Sequence, residues 1–197
     1  MSNPSCDPAS MSEDVRGLRK EASKLLDSFE LRRRSTEEGM SDKPQTAIGR
    51  KITPLRTQLS KDIYALGREK GITAGKWMIF PHTNDVDRVW RLIVSATVGD
   101  KLGHAAKVAS NDGSGDTKPR LICIYNQDWE DTVTVKKILT TLNDMKLAKS
   151  EGPYGRERGI YYKADVLSWL DINGGNQYGL KASLYASMDV LREGWKC

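Results

Sequence analysis

An α/β fold of the α+β kind, with a mainly antiparallel sheet, is what this sequence predicts. Two observations lead there. From residue 76 onward the local signals run strand, helix, strand, strand, helix, strand, hairpin. No glycine-rich dinucleotide-type loop follows any of the strands, which speaks against a doubly wound parallel sheet and for helices gathered on one face.

Residues 1–13 are rich in Ser, Pro and Asp and are expected to be disordered. Val15, Leu18, Ala22, Leu25, Leu26 and Phe29 then follow a helical period, and this helix is expected to end near Arg32-Arg33-Arg34. The triplet suits the negative end of a helix dipole; nuclear import or a phosphate contact is the alternative. Residues 35–46 have linker composition. Thr53-Pro54 offers an N-cap and a first-turn proline for a helix with Leu55, Leu59, Ile63 and Leu66 on its apolar face and a stop at Gly71.

Lys76–Phe80 reads as a strand closed by Pro81. Asn84 or Asp85 can cap a helix carrying Val86, Val89, Trp90, Ile93, Val94 and Thr97 on one side. His104–Ser110 and Arg120–Tyr125 read as strands around the turn-rich Asn111–Pro119. Asp128 or Asp131 can cap a helix burying Val135, Ile138, Leu139, Leu142 and Met145. Residues 149–159 read as a basic, glycine-containing loop, and Ile160–Lys163 as a strand. Val166–Ile172 and Tyr178–Tyr185 flank Asn173-Gly174-Gly175-Asn176, a hairpin signal.

The formal net charge is +5. Residues 47–75 alone hold six basic and two acidic side chains, most of that excess. Such a balance permits a phosphate-bearing or acidic partner without requiring one. The three cysteines, Cys6, Cys123 and Cys197, have no metal-ligand or disulfide spacing, so reduced thiols are expected, with Cys123 a small buried hydrophobe. No run approaches the ~20 apolar residues of a membrane span, and Met1–Asp14 has no apolar core of a secretory signal. The expected compartment is cytoplasm or nucleus. The expected organisation is a tail with one helix over 1–46 contributing little to the core, a domain over 47–190, and a short tail over 191–197.

Gly75-Lys76-Trp77, Gly103-His104-Ala105-Ala106-Lys107-Val108, Leu121-Ile122-Cys123-Ile124-Tyr125, Tyr161-Tyr162-Lys163-Ala164-Asp165 and Ser183-Leu184-Tyr185 carry a resemblance. In that order and spacing, over roughly residues 74–186, they resemble the basophilic leukemia-expressed protein family. More distantly the chain is similar to the cap-binding translation initiation factor 4E. The resemblance implies a curved sheet backed by helices on its convex face, with a nucleotide or RNA on the concave face. It also implies that Tyr125 lines the ligand and that Lys118 and Arg120 contact phosphate. The chain departs from the cap-binding pattern: no tryptophan precedes Trp77, so both cap-stacking tryptophans are missing.

The candidate ligand surface is therefore Lys76, Lys107, Lys118, Arg120 and Lys163 for phosphates, with Tyr125, Trp129 and Tyr162 for stacking. Basic groups interleaved with aromatic faces are what sequence-tolerant single-strand binding requires. Trp129, in the polar stretch Asn126–Asp131, is expected to be the exposed tryptophan. Trp77 and Trp90 are expected in the core, with a protein partner on the helices near Trp90 as a further possibility from the resemblance; Trp169 could face either side. No nucleophile elbow, phosphate-binding loop or His/Cys metal set is present, and no cofactor is expected. A non-catalytic RNA or nucleotide module is the favoured class. A protein-interaction scaffold and an unrecognised enzyme are the alternatives. The oligomeric state is not legible.

Overall fold

The computed structural model describes residues 12–110, 119–151, 157–192 and 194–195. The chain divides into two compact units, one formed by the described part of Met1–Thr73 with Val166–Ala182, the other by Ala74–Asp165 with the described residues from Ser183 onward. The expected boundary at residue 46 does not coincide with this division.

In the first unit, α1 spans Glu13–Glu38 and α2 spans Gln45–Glu69. Ser12 caps α1 by accepting from the Val15 N–H. Lys70, just past the end of α2, reaches Glu21 near the start of α1 at 2.7 Å, so the two helices run antiparallel. Val15, Leu18, Ala22 and Phe29 are buried along α1, and Ile48, Ile52, Leu59, Ile63 and Leu66 along α2. Three expectations are corrected here. First, α1 continues beyond the arginine triplet, so those charges do not sit at its end. Arg33 instead pairs with Glu30 at 2.7 Å and donates to the Gln177 carbonyl at 2.8 Å. Second, residues 35–46 are not an extended linker: only 39–44 separate the helices. Third, Pro54 lies inside α2, which starts nine residues earlier behind Pro44. The buried stripe from Ile48 to Leu66 runs through Pro54, and tertiary burial outweighs the lost N–H. Gly71 does stop α2, at φ +69°, with the Ile72 N–H bonding the Gly67 carbonyl.

The expected hairpin over 166–185 is also corrected. Asp165–Trp169 is a short helix, α5, whose Val166 and Leu167 are buried. It is closed by Asp171 at φ +55° and an Ile172 N–H to Leu167 carbonyl bond of 2.9 Å. Asn173–Asn176 forms a turn without flanking strands. Arg19 and Arg56 hold this segment within its unit through the carbonyls of Trp169 (2.8 Å) and Tyr178 (3.2 Å). A short run such as Val-Leu-x-x-Leu fits a helical period as well as a strand, and here the helical one wins.

The second unit is built on a five-stranded antiparallel sheet. Its strands are β1 (Gly75–Ile79), β2 (Ala105–Val108), β3 (Ile122–Asn126), β6 (Tyr161–Ala164) and β7 (Tyr185–Ala186), in the order β2-β3-β1-β6-β7. Residues 149–159, expected as a loop, include a second ladder of β4 (Lys149–Glu151) with β5 (Glu157–Gly159). The helices are α3 (Val86–Val98), α4 (Thr132–Asp144) and the single turn α6 (Ser187–Val190). Asp131 caps α4, accepting from the Thr134 N–H at 3.0 Å, as its position before the apolar period predicts. Trp77, Ile79, Ile122, Ile124 and Tyr162 line the core with Val135, Ile138, Leu139 and Leu142 of α4. The Trp77 indole N–H donates to the Val135 carbonyl at 3.0 Å, which fixes which sheet face looks toward α4. Gly75 is required because a Cβ there would collide with the Tyr162 hydroxyl.

Candidate nucleic-acid interface

Side chains alternate across a strand, and directly paired residues share a face. Trp77 pairs with Ile124 and with Tyr162, so these three face α4. The intervening residues therefore face the other way, and the register sets them in two adjacent rows. One row is Ala105–Tyr125–Lys76–Lys163 and the other is Lys107–Cys123–Met78–Tyr161. Strand spacing puts neighbours in a row about 4.8 Å apart, and the two rows about 7 Å apart. Three of the expected cations, Lys76, Lys107 and Lys163, thus come together with Tyr125 on one sheet face.

The rows differ in access. Lys76 and Lys163 are buried, at 9% and 7% exposure, whereas Lys107 is exposed and Tyr161 is 49% exposed. The Lys76 ammonium is held at 2.6 Å by the Asp165 carboxylate and lies 5.4 Å from the Tyr125 ring centroid. Burial pushes the Cys123 thiol up; the charges of Lys76 and Lys107 both pull it back, so both cations act at the middle of the face. Burial likewise pushes the Tyr125 hydroxyl well above the phenol range, with Cys123 and Asp165 adding to it. Thiol and phenol are therefore neutral near pH 7. The face carries Lys76, Lys107 and Lys163, with the Asp165 carboxylate on Lys76.

Two stacking candidates are buried. Trp129, expected to be exposed, is 2% exposed. Asn126 is buried with it, its amide donating to the Asp128 carbonyl, while Gln127, Glu130 and Asp131 of the same stretch stay exposed. Tyr162 is fully buried, edge-on to Trp77 at 5.4 Å, and its hydroxyl donates to the Asn126 side-chain carbonyl. Burial raises the Tyr162 hydroxyl, with the Asn126 bond opposing. The exposed aromatic of that strand is its neighbour Tyr161, two residues from Lys163. A Tyr-x-Lys spacing in a strand puts both on one face, which is the signal that would have found it. Arg120 lies at the far end of the sheet, its N–H bonded to the Pro81 carbonyl just past β1. Lys118 lies outside the described residues. Trp90, expected in the core, is half-buried on α3, and Leu92, Val94 and Val98 on the same helix are exposed. Among the described residues no cluster of three or more His, Cys, Asp or Glu could hold a metal ion, and no helix is long and apolar enough to cross a membrane.

A family model described as basophilic leukemia-expressed protein Bles03 matches residues 1–171. The match takes in the three lysines, both tyrosines and Asp165.

Proposed function

The chain belongs to the Bles03 family, and from that premise we propose that its five-stranded sheet, of initiation factor 4E-like fold, binds single-stranded RNA through phosphate contacts without recognising a methylated cap. The observation that carries this reading is the pair of rows: three lysines and Tyr125 share one sheet face, with Asp165 the acid that reaches Lys76. Lysines at this density favour a polyanion, and partial burial strengthens each charge contact relative to water. The role is binding rather than catalysis, since burial keeps the Cys123 thiol and the Tyr125 phenol protonated.

The test is a titration of the full chain with a labelled oligouridine and, separately, with a methylated cap nucleotide. Oligouridine is expected to bind, and more weakly as salt rises. The cap nucleotide is expected to bind poorly, because absence of the two stacking tryptophans forgoes about 2–6 kcal/mol at ~1–3 kcal/mol per stack. No oligouridine binding at low salt, or submicromolar cap binding, overturns the proposal. The exposed Val94 and Val98, on the Trp90 side of α3, favour a second reading, a protein partner on α3. Replacing Val94 and Val98 by Ser tests it, with loss of a co-purifying partner as the supporting outcome.

A further inference from the structure

Resting on that reading, we infer that Tyr161 is the base-stacking residue of the face, and that an RNA strand crosses the sheet along the row from Tyr161 to Lys107. The argument begins with which aromatic rings are available. Tyr162 and Trp77 are buried against each other on the α4 side, and Trp129 is buried as well. Tyr125 shares the lysine face, but the Lys76 ammonium lies 5.4 Å from its ring and so uses its π-surface. Tyr161 is different. It is half exposed and shares a row with Met78 and Cys123.

The surroundings define the ligand. Tyr161 and the 7% exposed Lys163 lie about 7 Å apart along one strand, so a base on the ring has a cation beneath the surface beside it, whose field reaches the phosphate of the same nucleotide. Lys107 sits three strands away in the same row, about 14 Å across the sheet. That is too far for one phosphate to touch both, so the strand must span more than a single nucleotide. Cys123 and Met78 form an uncharged floor between, offering no amide or carboxylate to read base edges. The face therefore stacks any base and holds the backbone, and its ligand is a single strand of little sequence preference.

The experiment compares wild type with Tyr161→Ala and Tyr161→Phe, each titrated with oligouridine and with inorganic polyphosphate, a polyanion without bases. Because Tyr161 is exposed, both variants are expected to fold, which unfolding curves verify. Tyr161→Ala is expected to weaken oligouridine binding about 5- to 150-fold, the equivalent of one lost stack, and Tyr161→Phe to restore it. Polyphosphate binding is expected to be the same in all three. If Tyr161→Ala leaves oligouridine binding unchanged while Lys107→Gln lowers it, the stacking role falls and the phosphate reading stands. Equal loss for both ligands in Tyr161→Ala also overturns it, since the effect is then not on a base. If wild type binds neither polyanion, both the inference and the reading beneath it fall.

Discussion

Removing the Asp165 charge is expected to destabilise the protein and to raise the net positive charge of the face. Lys76 and Asp165 are 89 positions apart in sequence and meet at 2.6 Å, with side chains 11% and 19% exposed. Breaking a fully buried pair by removing one partner costs about 3–5 kcal/mol, because the other charge is left without compensation. Asn at 165 keeps the shape and one acceptor, and residual solvent access lowers the penalty, so Asp165→Asn is expected to cost ~2–3 kcal/mol. Lys76→Met, which keeps the stem, is expected to cost a similar ~2–3 kcal/mol. The double variant should lose less than the sum, with a coupling of about 1–2 kcal/mol. Urea unfolding followed by tryptophan fluorescence reads this out: at a slope near ~2 kcal/mol/M, each single variant moves the midpoint by about 1–1.5 M. In Asp165→Asn, polyanion binding should tighten while stability drops. Single variants within ~0.5 kcal/mol of wild type and additive in combination would mean that the pair is screened by solvent, and the account of the face would lose its buried charge.

Two further outcomes follow from the helices. Asp131→Ala should cost about 1 kcal/mol through loss of the α4 cap, and Asp131→Asn much less. The hydrogen bonds from Thr134, side chain first and then backbone, hold the Asp131 carboxyl below its ordinary 3.8. Its contribution is therefore complete above that value and is lost as pH falls through the lower folded one, a dependence that Asp131→Asn should abolish in acid titrations. Deleting residues 1–44 should abolish cooperative unfolding or solubility, since Val15, Leu18 and Phe29 each bury a side chain worth about 1.5–3 kcal/mol as an upper figure. A truncated chain that unfolds at the same urea concentration as the whole would show that α1 is dispensable.

The sheet core was legible where one period dominated. Trp77, Ile124 and the Val135–Leu142 stripe announce β1, β3 and α4, and Asp131 announces the cap. The segment after Asp165 was not, because Val166, Leu167 and Ile172 satisfy a strand run and a helix turn equally, and the choice is made by burial. Pro54 misled because a proline favours a helix start, while here burial of Ile48 and Ile52 extends the helix upstream of it. Lys76, Lys107, Lys163 and Tyr125 were legible as strand residues, and the register sets them on one sheet face. Alternation alone puts Tyr161 rather than Tyr162 on the face of Lys163; what the sequence could not supply is which face turns to the core, and the pairing of Trp77 with Tyr162 decides that. Asp165 was invisible as a partner of Lys76, since nothing local links residues that far apart.

The central claim is that the lysines of this face meet phosphate, and the salt dependence of oligouridine binding tests it most directly. With about three phosphates neutralised, log affinity against log salt should fall with a slope near −2, a loss of about 20-fold from ~50 to ~200 mM. Lys107→Gln with Lys163→Gln should flatten that slope by about 1.4 if both touch phosphate. A slope identical in wild type and double variant, or affinity independent of salt, would contradict the account.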